Sequence, residues 1–280
     1  MNSLTQHPAT VRTRDGIDLV LRHWPAEGPA RGTLLIVHGL GEHIGRYAPV
    51  AAHLTARGWA VSGYDQRGHG ASPGKRGALC TADDLPDDLS RVIAAVRLAS
   101  PMRPFVLLGH SMGGLVAAQF VAEGRGAIDA LVLSSPALDA GLSLAQRLQL
   151  AVGHALLPDF AMSNQLDATK ISHDPAVVQA YLNDPLVHDR VTARLARALV
   201  NGGKTVLARA GRWPVPTLLL WAGDDTLVSP RGSAAFAAAA PTAALRAKCF
   251  AGLYHEILNE RDATPVFAAL NDWLDPRRAG

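Results

Sequence analysis

Phe105-Val106-Leu107-Leu108-Gly109-His110-Ser111-Met112-Gly113-Gly114-Leu115-Val116-Ala117 is the stretch that decides the architecture. Four apolar residues ending at a glycine have the length of a buried strand, and the small and apolar residues from Gly114 onward open a helix. Between them Gly109-His110-Ser111-Met112-Gly113 puts a serine at a tight strand-to-helix turn. Such a turn forces strained dihedrals on the serine and leaves room only for glycine on either side. It also exposes the hydroxyl and sets the next backbone N–H groups at a helix N-terminus, where negative charge is favoured.

The same rhythm runs outward from this point. Upstream, Val11–Trp24 alternates around Asp15-Gly16, a hairpin signal. Thr33–Val37 reads as a buried strand, followed by Tyr47, Val50, Ala51 and Leu54 at helical spacing, and Ala60–Tyr64 as another strand. Thr81 and Asp84 form a capping-box pattern ahead of a helical stripe of Leu85, Leu89, Val92, Ile93 and Val96. Downstream, Ala130–Leu133, Thr217–Trp221 and Leu245–Phe250 read as strands and Ala234–Ala240 as part of a helix. Strands alternating with helices predict a mostly parallel α/β sheet covered on both faces. Between Pro136 and Pro214 the strand rhythm stops. Leu144, Leu148, Ala151 and Ala155 keep helical spacing there, while Pro158, Pro175 and Pro185 interrupt it. The expected organisation is a core over residues 1–136, a helical cap inserted between two strands over 137–213, and the rest of the core over 214–280.

Composition sets the outer bounds. A chain of 280 residues with 48% hydrophobic and 18% charged residues can bury a large core and is not a disordered composition. A net charge of +3 carried by scattered arginines gives no nucleic-acid footprint. The apolar runs are strand length, far short of a membrane span. The opening MNSLTQHPATVRTRDG has no apolar core, so no cleaved signal peptide is expected. Two cysteines, Cys80 and Cys249, make no disulfide framework and point to a reducing cytoplasm; the sequence does not say whether they meet, nor what the oligomeric state is.

A serine hydroxyl needs a base to take its proton, and the base needs an acid to orient it. In a sheet of this kind both lie on loops after later strands, in the order nucleophile, acid, histidine. Asp224 and Asp225 directly follow the strand Thr217–Trp221, and His255 follows the strand Leu245–Phe250. Asp225, which precedes Thr226-Leu227-Val228, is the better placed of the two acids. The oxyanion formed on an attacked carbonyl needs two N–H donors: Met112, directly after the serine, and Leu40 in the loop His38-Gly39-Leu40-Gly41. This chemistry needs no cofactor.

HGLGEHIGRY at His38–Tyr47, YDQRGHGAS at Tyr64–Ser72, GHSMGG at Gly109–Gly114 and YHEILNE at Tyr254–Glu260 resemble the monoacylglycerol lipase and lysophospholipase branch of the α/β-hydrolases. SSPAL at Ser134–Leu138 and DPLVH at Asp184–His188 extend the resemblance from about residue 11 to the C-terminus. It implies a Ser111, Asp225, His255 triad with Leu40 and Met112 as oxyanion donors. It further implies Glu42, Arg46 and His110 as residues that brace the oxyanion loop or contact substrate. The departure is Leu258, which stands where animal monoacylglycerol lipases carry a second histidine beside the glycerol site.

Three patterns imitate other chemistry. Gly39, Gly41 and Gly45 with Asp65 approach a dinucleotide fingerprint, but the spacing is not Gly-x-Gly-x-x-Gly. His255-Glu256 suggests a zinc helix, but Asn259 takes the second histidine's place, so no metal is implied. Asp65, Arg67 and His69 read as loop-holding residues. The expected substrate is a small-molecule or lipid-derived monoester, a monoacylglycerol or lysophospholipid. The leucine-rich cap serves as plain core, as an acyl tunnel, or as a peripheral membrane contact. A small-ester esterase, a serine aminopeptidase and a catalytically silent binding protein are the alternatives.

Overall fold

The computed structural model describes residues 9–275. Residues 1–8, half of the stretch read for a signal peptide, lie outside them. One eight-stranded sheet is formed by β1 (Thr10–Arg12), β2 (Asp18–Trp24), β3 (Gly32–Val37), β4 (Trp59–Tyr64), β5 (Phe105–His110), β6 (Ala130–Ser134), β9 (Thr217–Ala222) and β10 (Leu245–Phe250). Its order is β1-β2-β4-β3-β5-β6-β9-β10, antiparallel through β2 and parallel from β4 to β10. The predicted hairpin turn sits between β1 and β2, with Gly16 at φ +87°.

Strands β3 and β5 are wholly buried, as continuous apolar runs in a parallel sheet must be. On one face α2 (Asp84–Ala99) and α3 (Ser111–Ala122) cover Leu35, Val37, Leu107 and Leu133. On the other, α1 (Ala48–Thr55) and α8 (Thr264–Leu274) cover Leu34, Ile36, Val106 and Leu108. Helix α7 (Pro230–Ala239) contributes Phe236 to the first cluster, edge-on to Trp213 at 4.8 Å. β10 is the edge strand, and Arg246–Cys249 on it are exposed.

Helix α2 starts at Asp84, not at Thr81. The Asp84 carboxylate takes the Cys80 and Thr81 N–H groups, but the Thr81 hydroxyl donates to Asp84 (2.6 Å), so only half of a capping box forms. Arg67 reaches the same Asp84 oxygen that takes these N–H groups, Oδ2, at 2.8 Å, and also pairs with Asp88 and Asp15. Asp65 in the same loop accepts from the N–H groups of Ile44 and Ala71, both at 2.8 Å. Asp65 and Arg67 therefore hold the loop after β4, as the sequence suggested.

Between β6 and β9 the chain inserts α4 (Leu144–Leu156), β7 (Ala161–Ser163), α5 (Pro175–Asn183), β8 (Arg190–Thr192) and α6 (Ala193–Arg209), with β7 and β8 paired antiparallel. Burial divides this stretch. α6 sends Leu195 and Val206 into the same apolar cluster as α3. α4 buries no residue at all. Leu144, Leu148, Val152 and Leu156, one stripe at i, i+4, i+8 and i+12, are 87%, 67%, 49% and 73% exposed. The reading of these leucines as ordinary core is overturned. No helix among the described residues is long and apolar enough to cross a membrane.

Candidate active site

Ser111 stands at the junction of β5 and α3 with φ +52°, a left-handed conformation that costs a non-glycine residue energy. The flanking glycines are required by contact. A Cβ on Gly109 would lie 2.5 Å from the Gly113 carbonyl oxygen, and one on Gly113 would run into the carbonyl oxygens of Val37 and His38. The serine is thereby lifted to the C-terminal edge of the sheet, and the Met112 N–H lies in the first turn of α3, where backbone donors have no helical acceptor.

His255 and Asp225 come to this edge from the loops after β10 and β9. His255 Nδ1 donates to Asp225 Oδ2 at 2.6 Å, with both side chains buried. The other Asp225 oxygen accepts from the Leu227 and Val228 N–H groups at 2.9 and 3.0 Å. That is the physical content of an acid preceding a short apolar run: the backbone of the run fixes the carboxylate. Asp224 is exposed and its backbone N–H turns to Leu253 O. His255 thus meets a carboxylate, and Asn259 donates to Glu256 at 2.8 Å.

The loop after β3 is folded against Ser111. A Cβ on Gly39 would lie 3.3 Å from Ser111 Cβ. The Gly39 N–H donates to Glu42 Oε1 at 2.6 Å. Tyr47 OH donates to the same oxygen (2.7 Å), and Arg46 to Glu42 Oε2 (2.6 Å). Burial pushes the Glu42 carboxyl up, but the Arg46 guanidinium and its other partners hold it down at about 2. His38 Nδ1 donates to Gly39 O and its Nε2 accepts from Gln66 N–H, and burial keeps its pKa below the usual histidine value. His110 is buried beside His255, ring centroids 4.7 Å apart, and bonds Ser134 Oγ at 3.1 Å. Burial, with the neighbouring His255, lowers its pKa to about 3.

Two cavities meet at Leu40, Ser111, Leu227 and His255. One, of about 230 Å³, is mixed: Glu42, His110, Asp184, His188 and Glu256 line it beside Leu166, Ile171, Leu182 and Val187. The other, of about 450 Å³, is apolar, lined by Leu138, Leu142, Val191, Leu199, Leu207 and Val228. Leu148 and Val152 line neither; of the leucines around the start of α4 only Leu142 faces the cavity. Leu258 packs against the apolar cluster under α1 and α8 and lines neither cavity.

Residues 28–262 match the family model described as serine aminopeptidase, S33 (Hydrolase_4). The chain belongs to this family of α/β-hydrolases. It is 34% identical over 262 residues to a monoacylglycerol lipase of Mycolicibacterium smegmatis, covering 92% of this chain and 93% of that protein. It is 29% identical to the phospholipase YtpA of Bacillus subtilis, covering 90% and 98%. The crystal structure of the Paleococcus ferrophilus monoacylglycerol lipase superposes with a TM-score of 0.81 at 31% identity, covering 91% of this chain and 98% of that one. These likenesses set the chain in the monoacylglycerol lipase branch of the α/β-hydrolases, as a carboxylic ester hydrolase.

Reading the sequence alone missed Glu256 and the ties that hold the inserted segment to the site. The Glu256 N–H donates to Ile171 O (2.8 Å), the His188 N–H to Gly41 O (2.8 Å), and His43 Nε2 to Asp184 (2.8 Å). Glu260 accepts from the Tyr254 N–H and from His173. The signal lay in DPLVH and YHEILNE, whose polar residues bond within their own segments and also reach partners outside them.

Proposed function

We propose that this α/β-hydrolase cleaves long-chain monoesters, monoacylglycerols first among them, through an acyl-enzyme on Ser111. His255 takes the serine proton, and Asp225 holds the imidazole in the tautomer that leaves Nε2 free to accept it. The N–H groups of Leu40 and Met112 receive the oxyanion. The acyl chain enters the larger, apolar cavity and the alcohol leaves through the smaller one, where charged side chains stand; water then repeats the sequence on the acyl-enzyme. The observation that carries this reading is the junction itself. A buried, 2.6 Å histidine–aspartate pair and a serine at φ +52° lie where an apolar cavity meets a smaller one that carries Glu42, His110, Asp184 and Glu256. Residues 137–213 act as the cap, with the exposed stripe of α4 resting on a lipid surface. The two free, exposed cysteines fit a cytoplasmic protein.

The test is a hydrolysis series over p-nitrophenyl esters of increasing chain length, with monoacylglycerols and lysophospholipids alongside. Each methylene buried in the apolar cavity is worth about 0.8 kcal/mol, so kcat/KM climbs with acyl length until the cavity is full. A series that falls beyond butyrate leaves a small-ester carboxylesterase. Turnover of amino-acid amides but not esters leaves an aminopeptidase.

A further inference from the structure

We infer that Glu256 is a positioning residue, which with Arg46 locks the oxyanion loop and the histidine loop at a fixed separation; the inference rests on the reading of Ser111, His255 and Leu40 given above. The need for such a lock follows from the sheet. The oxyanion loop leaves β3 and the histidine loop leaves β10, and β5, β6 and β9 lie between them. At about 4.8 Å per strand the two loops are anchored about 19 Å apart, so no ladder hydrogen bond ties one to the other. Arg46 closes that gap. Its Nη1 and Nη2 reach Glu256 Oε1 and Oε2 at 2.7 and 2.8 Å, a fork-to-fork pair, while Nη1 also holds Glu42, whose other oxygen grips the Gly39 N–H. Gly39 adjoins the donor Leu40, and Glu256 adjoins His255. Asn259 orients Glu256 from one side, and the Tyr181 ring of the inserted segment lies 4.8 Å from the Arg46 guanidinium.

Stability does not account for this arrangement. Two carboxylates and one guanidinium, all nearly buried, leave an excess negative charge inside the protein, and apolar side chains of the same volume often serve folding as well or better. What the set does supply is geometry. The planar fork of arginine fixes distance and orientation together.

The experiment is Glu256→Gln, which removes one buried charge and leaves Arg46 paired with Glu42. The expected result is a kcat lower by about 10- to 100-fold, the size that a misplacement of about 1 Å produces, with KM changed less than about twofold. Affinity for an arylboronic acid, which binds serine and fills the oxyanion position, should fall by the same factor, and Tm should hold or rise. Arg46→Lys, which keeps the charge and loses the fork, should give the same pattern. The double variant should lose no more than the worse single one, because both break one link. A kcat unmoved in Glu256→Gln overturns the lock, as does a kcat loss that comes with a lower Tm and unaltered boronate affinity. A fluorophosphonate that fails to label Ser111 in the unmodified enzyme overturns the site reading as well, so the two failures are told apart.

Discussion

The exposed stripe of α4 yields a quantitative prediction. Leu148→Gln with Leu156→Gln replaces two side chains that are 67% and 73% exposed, on a helix that buries nothing. Complete burial of a leucine is worth about 1.5–3 kcal/mol, so covering the exposed two-thirds of each by lipid is worth about 1–2 kcal/mol. The pair then loses about 2–4 kcal/mol of membrane partitioning, or about 30- to 1,000-fold in affinity for phosphatidylcholine vesicles. Glutamine is a good helix former, and exposed substitutions stay within about 0.5 kcal/mol each, so Tm should not move. Hydrolysis of a soluble short ester should also be unaltered, because neither residue lines a cavity. Vesicle flotation, Tm and soluble-ester kinetics on one preparation test all three statements. Unchanged flotation refutes the lipid-facing role, and a fall in Tm refutes the exposure on which it rests.

Ser111→Ala should remove ester turnover by a factor on the order of 10⁶ while Tm is retained; a purified variant with appreciable activity would remove Ser111 from the mechanism. Asp225→Asn should lower kcat by about 10⁴, because an amide can hold the wrong histidine tautomer, whereas exposed Asp224→Asn should cost little; a reversed order of effects means the acid is misassigned. Folding stability should fall from about pH 6.5 downward. His110 is held at about 3 by burial, and His38 and His69 are also lowered, so the unfolded chain takes up protons that the folded one refuses. That stability is complete above the ordinary histidine value, and His110 alone gives up about 2 kcal/mol of it between pH 7 and pH 5. Urea midpoints flat over that interval would contradict neutral burial.

The sheet was legible because its strands are buried on both faces and announce themselves as apolar runs, and because each residue proposed for the triad sits directly after one. Ser111 after β5, Asp225 after β9 and His255 after β10 could be placed by counting strands. The direction a helix faces could not. Leu144, Leu148, Val152 and Leu156 have the spacing of a core stripe, and spacing is the same whether the stripe meets protein or not. Only the location of α6 decides it, since α6 already fills the place on α3 that a core helix would take. Partners distant in the chain were likewise out of reach. Arg46 and Glu256 are 210 residues apart; Arg46 was read as a brace of the oxyanion loop, but nothing in either segment names the other.

The same contrast explains how the site is assembled. Each group of the proposed site is fixed locally by a device visible in its own segment: the strained turn at Ser111, the backbone donors on Asp225, the carboxylate under Gly39. Local devices set orientation well but leave the spacing between loops free, because each loop hangs from a different strand. Spacing must come from side chains that cross between loops, and a charged fork suits this because it is long and fixes distance and direction together. A residue pair that looks wasteful for folding is therefore where precision of the reacting geometry is to be sought, and in this chain that pair is Arg46 and Glu256.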